Sequence, residues 1–331
     1  MKLKSFLNKY DTIIFDLDGV ITSENAYWDS AAATVYEKVH KDKFSSEEIE
    51  QNIKEIRKEV FSDDLLISTL KNKGVNSNWD LSYITLGIIN ILGKVDFSKC
   101  LEYAKNLPED TFLIYKLIAE NFQEKLGISD CSRKSKFWDD LKMTFQEWYL
   151  GDEIFKDIYG YKPSKKGKSG FILNDKPVVD VVKLREVFSL LKEKRLAVAT
   201  GRPFIEAKTP LEEFGIFEYF TKDGFITFDD VLNVQKEFGI EVPKPHPYMF
   251  QKAMLGAGFP DKDILDGDFT KEQVLKTLVV GDAGSDILGA KAMGADFCAV
   301  LTGVNGKKAK DYFEEQESTY ILDSILDFIE K

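Results

Sequence analysis

Residues 12–20 read TIIFDLDGV, and the fold turns on them. The run Thr12 to Phe15 is β-favouring, too short for a helix and followed by the turn residue Gly19, which is the pattern of a buried strand. It ends in two acids, Asp16 and Asp18. In an extended chain, residues i and i+2 point the same way, so both carboxylates can face one ligand. Gly19 lets the backbone turn sharply behind them.

Downstream the texture changes. From about Asn25 to Gly160 the pattern is helical almost throughout. Ser45 with Glu48 forms a capping-box signature before EIEQNIKEIRKEVF. Ser62 is expected to open DDLLISTLKNK, with Gly74 as its stop. Pro108, Glu109 and Asp110 open TFLIYKLIAENFQEKL, which Gly127 closes. Ser135 or a neighbour starts KFWDDLKMTFQEWYL. The lysine-rich segment 162–170, KPSKKGKSG, reads as a loop or hinge, with Lys165, Lys166 and Lys168 solvated.

From Val178 onward, strands and helices alternate. Asp180 caps VVKLREVFSLLKEK. LAVAT (196–200), LVV (278–280) and FCAVL (297–301) are unbroken apolar runs. Helices are expected at about 205–214, 248–257 and 286–293. Such alternation builds βαβ units and a parallel sheet, whose strands are buried on both faces. The expectation is an α/β chain in which residues 1–24 and 175–331 form one domain. Residues 25–174 form an inserted all-α domain.

In such sheets ligands bind beyond the carboxyl ends of the strands. The first strand delivers Asp16 and Asp18 there. The second delivers Thr200, Gly201 and Arg202, a later loop brings Lys244, and another strand ends at Asp282 and Asp286. Clustered carboxylates need a hard cation with oxygen ligands, most simply Mg²⁺. A carboxylate can attack phosphorus to give an aspartyl-phosphate. Lys244, the Thr200 hydroxyl and backbone N–H groups beyond Gly201 can hold phosphoryl oxygens. A second acid can protonate the leaving oxygen and then activate water.

The four segments DLDGV, TGR, KPHP and GDAGSD, in this order, resemble the motifs of the haloacid dehalogenase-like superfamily. The resemblance covers residues 11–24 and about 178–305. It implies a Rossmann-like three-layer core with a helical cap inserted after the first motif. It also implies that Asp16 is nucleophile and metal ligand. Asp18 is then the general acid/base, with its backbone carbonyl on the metal. Thr200, Gly201 and Lys244 bind the phosphoryl group, Asp282 ligates Mg²⁺, and Asp286 and Arg202 support the site. Arg202 reads equally as a substrate contact or as a structural residue. Relatives that cleave carbon–halogen or carbon–phosphorus bonds lack the acid that is Asp18 here. Sugar-phosphate mutases often carry a histidine where this chain has Trp28. The expected activity is therefore a Mg²⁺-dependent phosphatase for a small phosphorylated metabolite. A phosphomutase or a catalytically inactive binding module is the alternative. A large cap favours small substrates over phosphoproteins.

Composition excludes other classes. Hydrophobic residues at 44% and charged residues at 31% are ordinary for a globular chain. The 45 basic and 56 acidic residues leave a net charge of −11, which disfavours nucleic acid and anionic lipid as partners. Cys100, Cys131 and Cys298 form no CxxC pair and read as thiols of a reducing cytoplasm. The stretch Leu81 to Gly93 falls short of the ~18–20 residues that span a bilayer. The N-terminus reads as mature protein rather than a signal peptide. Two histidines and no GxSxG argue against a Ser–His–Asp hydrolase.

Overall fold

The computed structural model describes residues 2–40, 45–75 and 77–330. The chain divides into two compact units, residues 1–24 with 175–331, and residues 25–174.

The first unit is built on a six-stranded parallel sheet. Its strands are β1 (Thr12–Phe15), β2 (Arg195–Ala199), β3 (Phe225–Ile226), β4 (Thr277–Gly281), β5 (Asp296–Val300) and β6 (Tyr320–Leu322). The spatial order is β3-β2-β1-β4-β5-β6, with Phe15 paired to Val198 on one side and to Val280 on the other. The central strand β1 therefore delivers its acids between the ends of β2 and β4.

The second unit holds eight helices among the described residues. They are α1 (Asn25–Val39), α2 (Ser46–Gln51), α3 (Ile53–Val60), α4 (Leu65–Asn72), α5 (Asn78–Leu92), α6 (Phe97–Lys105), α7 (Thr111–Leu126) and α8 (Lys136–Tyr159). One apolar cluster runs through it from Ala26 to Ile172 and includes Trp148, Phe145 and Tyr83. The caps sit where the sequence puts them at Ser45, Asp110 and Ser135, whose side chains accept from the amides of Glu48, Phe112 and Trp138.

Three expectations change here. Ser62 does not open a helix: Ser62, Asp63 and Asp64 all take positive φ (51°, 54° and 65°), and α4 starts at Leu65. The helix after Ser45 breaks at Asn52 into α2 and α3. The helix from Ser135 runs past Leu150 to Tyr159 across a non-helical Gly151, against which the backbone of Ser169 and Gly170 packs. Residues 162–170 form no helix or strand and Lys166 is exposed, but the solvated reading fails at Lys168. Lys168 is buried because Glu37 of α1 and Glu147 of α8 are buried too, and its ammonium pairs with both, at 3.2 and 2.5 Å. Two carboxylates withdrawn from water need a counter-charge, and the folded-back segment supplies it.

The remaining helices belong to the first unit: α9 (Val181–Leu191), α10 (Phe204–Glu213), α11 (Phe228–Phe238), α12 (Tyr248–Leu255), α13 (Asp261–Asp266), α14 (Lys271–Leu275), α15 (Gly284–Met293) and α16 (Lys310–Glu315). Alternate strand residues separate the two faces of the sheet. Ile13, Phe15, Leu196, Val198 and Val280 pack with Val187 and Phe188 of α9 and Leu211 of α10. Ile14, Ala197, Ala199 and Val279 pack with Val231 of α11, Phe250 of α12 and Ile287 of α15. This is a three-layer Rossmann-like core. No helix among the described residues is long and apolar enough to cross a membrane.

Candidate active site

Asp16 leaves β1 at the middle of the sheet, and its amide still bonds to the Val280 carbonyl of β4 at 2.9 Å. Lys244 arrives from the loop before α12. Its ammonium donates to Asp16 Oδ1 at 2.7 Å and to Asp286 Oδ1 at 2.8 Å. Asp286 lies in the first turn of α15, and its carboxylate accepts from the Ala283 amide at 3.3 Å. Such an acid caps the helix and suits its dipole. Carboxylate oxygens of Asp16, Asp282 and Asp286 all lie within 4.8 Å of one another.

The electrostatics follow from three crowded acids and one lysine that bonds two of them. Burial pushes Asp16 up to about 7, against the pull of Lys244, and Asp286 and Asp18 add to the rise. Burial raises Asp282 well above the usual carboxylate range, reinforced by Asp286 and Asp16. Burial alone would lower Lys244, but Asp16 and Asp286 outweigh it and hold it above the ordinary lysine value. Among the described residues, no cationic side chain pairs with Asp282.

Space has been cleared around that carboxylate. Gly19 turns with φ +76°, and a Cβ there or at Gly303 would overlap the Asp282 side chain. The Thr302 hydroxyl donates to the Gly19 carbonyl and ties the β5 end to this turn. A cradle of three crowded carboxylates with one ammonium between two of them is an all-oxygen donor set of the kind a hard divalent cation prefers, so Mg²⁺ fits these residues.

The Asp18 carboxylate engages Arg202 instead. Both its oxygens accept from Arg202 Nε at 3.1 Å, and Oδ1 also accepts from Nη2 and from the Thr22 hydroxyl at 3.1 Å. Thr200 is fully buried beyond β2, and its hydroxyl accepts from the Arg202 amide at 3.1 Å. A Cβ at Gly201 would meet nothing within 4 Å, so this turn borders open space. The geometry thus gathers Asp16, Lys244, Asp282 and Asp286 into one cluster and joins Asp18, Arg202 and Thr200 in a second. Sequence reasoning missed Asp175, Thr302 and Gly303. The last two follow a strand in LTGV, and asking what β5 delivers would have found them.

A family model for haloacid dehalogenase-like hydrolases matches residues 10–294. The chain belongs to this family. It is accordingly an enzyme of the hydrolase class, and the matched span holds every site residue named above except Thr302 and Gly303. Pyrophosphatase PpaX of Halalkalibacterium halodurans is 29% identical to this hydrolase over 159 residues, 47% of this chain and 61% of that protein. The match thus spans about three-fifths of that relative's length. An X-ray structure from the Northeast Structural Genomics Consortium aligns with a TM-score of 0.73 at 25% identity, covering 95% of this chain and 96% of that one.

Proposed function

We propose that this hydrolase is a Mg²⁺-dependent phosphatase acting on a small phosphorylated metabolite through an aspartyl-phosphate. One observation carries the reading: Lys244 bridges Asp16 and Asp286 beside Asp282, which has no cationic partner among the described residues. A carboxylate nucleophile next to an ammonium and a cation cradle suits attack on a phosphoryl dianion.

An oxygen of Asp16 forms the new bond to phosphorus as the bond to the leaving oxygen breaks. Asp18 gives that oxygen its proton, and the alcohol departs. Asp18, now a carboxylate, takes a proton from water, whose oxygen attacks the acyl-phosphate and frees Asp16 and inorganic phosphate. Lys244, Thr200 and the amides beyond Gly201 hold the phosphoryl oxygens, and Asp286 orients Lys244. Bound Mg²⁺, held by Asp16, Asp282 and the Asp18 carbonyl, would screen the phosphoryl charge from the incoming carboxylate. Three free, buried cysteines suit a reducing cytoplasm.

A phosphate-release screen tests the reading. Sugar phosphates, nucleotides, phosphoglycolate-like acids and inorganic pyrophosphate are supplied with Mg²⁺ or with EDTA. Mg²⁺-dependent release from one class, lost in Asp16→Asn, is expected. Isomerised sugar phosphate without release would point to a mutase. Silence across the whole panel would point to a binding module.

A further inference from the structure

Arg202 is buried, and every N–H of its guanidinium has an acceptor. Nε bonds to both oxygens of Asp18. Nη2 bonds to Asp18 Oδ1 and, at 3.4 Å, to the Ser23 carbonyl. Nη1 bonds to Asp175 Oδ2 at 2.6 Å and to the Glu206 carbonyl at 3.1 Å. A guanidinium has five donors, and all are spent inside the protein. None is left for a substrate anion, so this arginine acts through what it holds.

We propose that Asp175 and Arg202 form a buried positioning pair that sets the Asp18 carboxyl group for proton transfer to the leaving oxygen and from the attacking water. The proposal rests on the phosphatase reading above. Both side chains of the pair are only 1% exposed, so neither is a solvated surface charge. Asp175 fixes the far edge of the planar guanidinium, and the near edge then presents a rigid fork to Asp18. Without that anchor, Arg202 could pivot about its long side chain, and Asp18 would follow.

The pair also sits where the chain leaves for residues 25–174 and returns. The Ser23 amide donates to the Lys176 carbonyl and the Val178 amide to the Ile21 carbonyl, with Thr22 opposite Pro177 in an antiparallel bridge. Arg202 grips this two-stranded junction through Ser23 and Asp175 while holding Asp18. The acid/base and both chain crossings therefore share one side chain. A loop residue three positions past a strand would not need that connection for packing alone.

The test uses the full chain with Mg²⁺ and a graded series of substituted phenyl phosphates. p-Nitrophenolate departs without a proton, whereas phenolate gains from protonation. Asp175→Asn and Arg202→Lys should lower kcat/KM for phenyl phosphate about tenfold more than for p-nitrophenyl phosphate, a share of what general acid catalysis supplies. In an Asp18→Asn background, Asp175→Asn should cost nothing further. Equal losses across the series, or losses that add to Asp18→Asn, would overturn the pair's positioning role while leaving the phosphatase reading intact. If the unmodified chain released phosphate from no member of the series, the phosphatase reading would fail and take this one with it. Should Arg202→Lys not fold, Asp175→Asn keeps nearly the same shape and decides alone.

Discussion

Two aspartates, buried Asp80 in one unit and half-buried Asp282 in the other, show how structural and functional charge differ. Asp80, at the start of α5, accepts from the Tyr115 hydroxyl at 2.9 Å, Arg133 Nε at 2.9 Å and Trp138 Nε1 at 2.7 Å. Its charge is fully answered by neighbours, and Arg133 also lies over the Tyr115 and Trp138 rings. Asp282, at the end of β4, has two more carboxylates within 4.8 Å and no cationic partner among the described residues. A satisfied buried acid specifies a fold, whereas an unsatisfied one stores a demand for a ligand.

Four substitutions can break or sharpen that contrast. The largest effect should come from Asp16→Asn, which removes the nucleophile. Steady-state phosphate release should fall by about 10⁴-fold or more, with the fold unchanged by circular dichroism. Next, Asp80→Ala strips the Tyr115 hydroxyl and the Trp138 indole of their buried acceptor and removes the ion pair of part-exposed Arg133. Denaturant unfolding should show a loss of about 4 kcal/mol. A smaller loss of about 3 kcal/mol is expected for Lys168→Met, which takes the closest cation from Glu37 and Glu147 while Lys165 and Trp148 still engage Glu37 and Ser164 still bonds to Glu147. The smallest change should have the opposite sign. In EDTA, Asp282→Asn should stabilise the protein by about 1 kcal/mol, because it relieves repulsion at a site tuned for function. Millimolar Mg²⁺ should raise the Tm of the unmodified chain but not that of this variant. A destabilised Asp282→Asn in EDTA would mean that Asp282 is an Asp80-like structural acid.

The same contrast explains what the sequence made legible. Asp16, Asp282 and Asp286 stood out because they follow strand-like runs, and strand ends are where α/β sheets bind ligands, whereas Lys244 stood out through its KPHP loop. Thr302 and Gly303 carry the same signal after FCAVL. Asp175 carries none, since a lone acid in LNDKP becomes meaningful only when folding brings it to Arg202. The pairing of Lys168 was hidden likewise, because its partners Glu37 and Glu147 lie far away in sequence and every local cue read as a loop. The sheet was visible in its four longer strands. Strands β3 and β6 have only two and three residues, too few to show a period. The turn at Ser62 to Asp64 misled because Ser-Asp-Asp matches a helix start, while its left-handed backbone serves instead to bring Asp64 onto Arg57, at 2.8 and 2.6 Å.

The measurement that bears most directly on the account is chemical trapping of the phosphoenzyme. The chain is mixed with Mg²⁺ and p-nitrophenyl phosphate, quenched in acid and digested for peptide mass spectrometry. Asp18→Asn, which slows water attack, serves as the sensitised form. The account predicts a phosphoryl adduct on the peptide that carries Asp16, enriched in Asp18→Asn and absent in Asp16→Asn. Turnover with no adduct in the sensitised form, or an adduct on another residue, would contradict it.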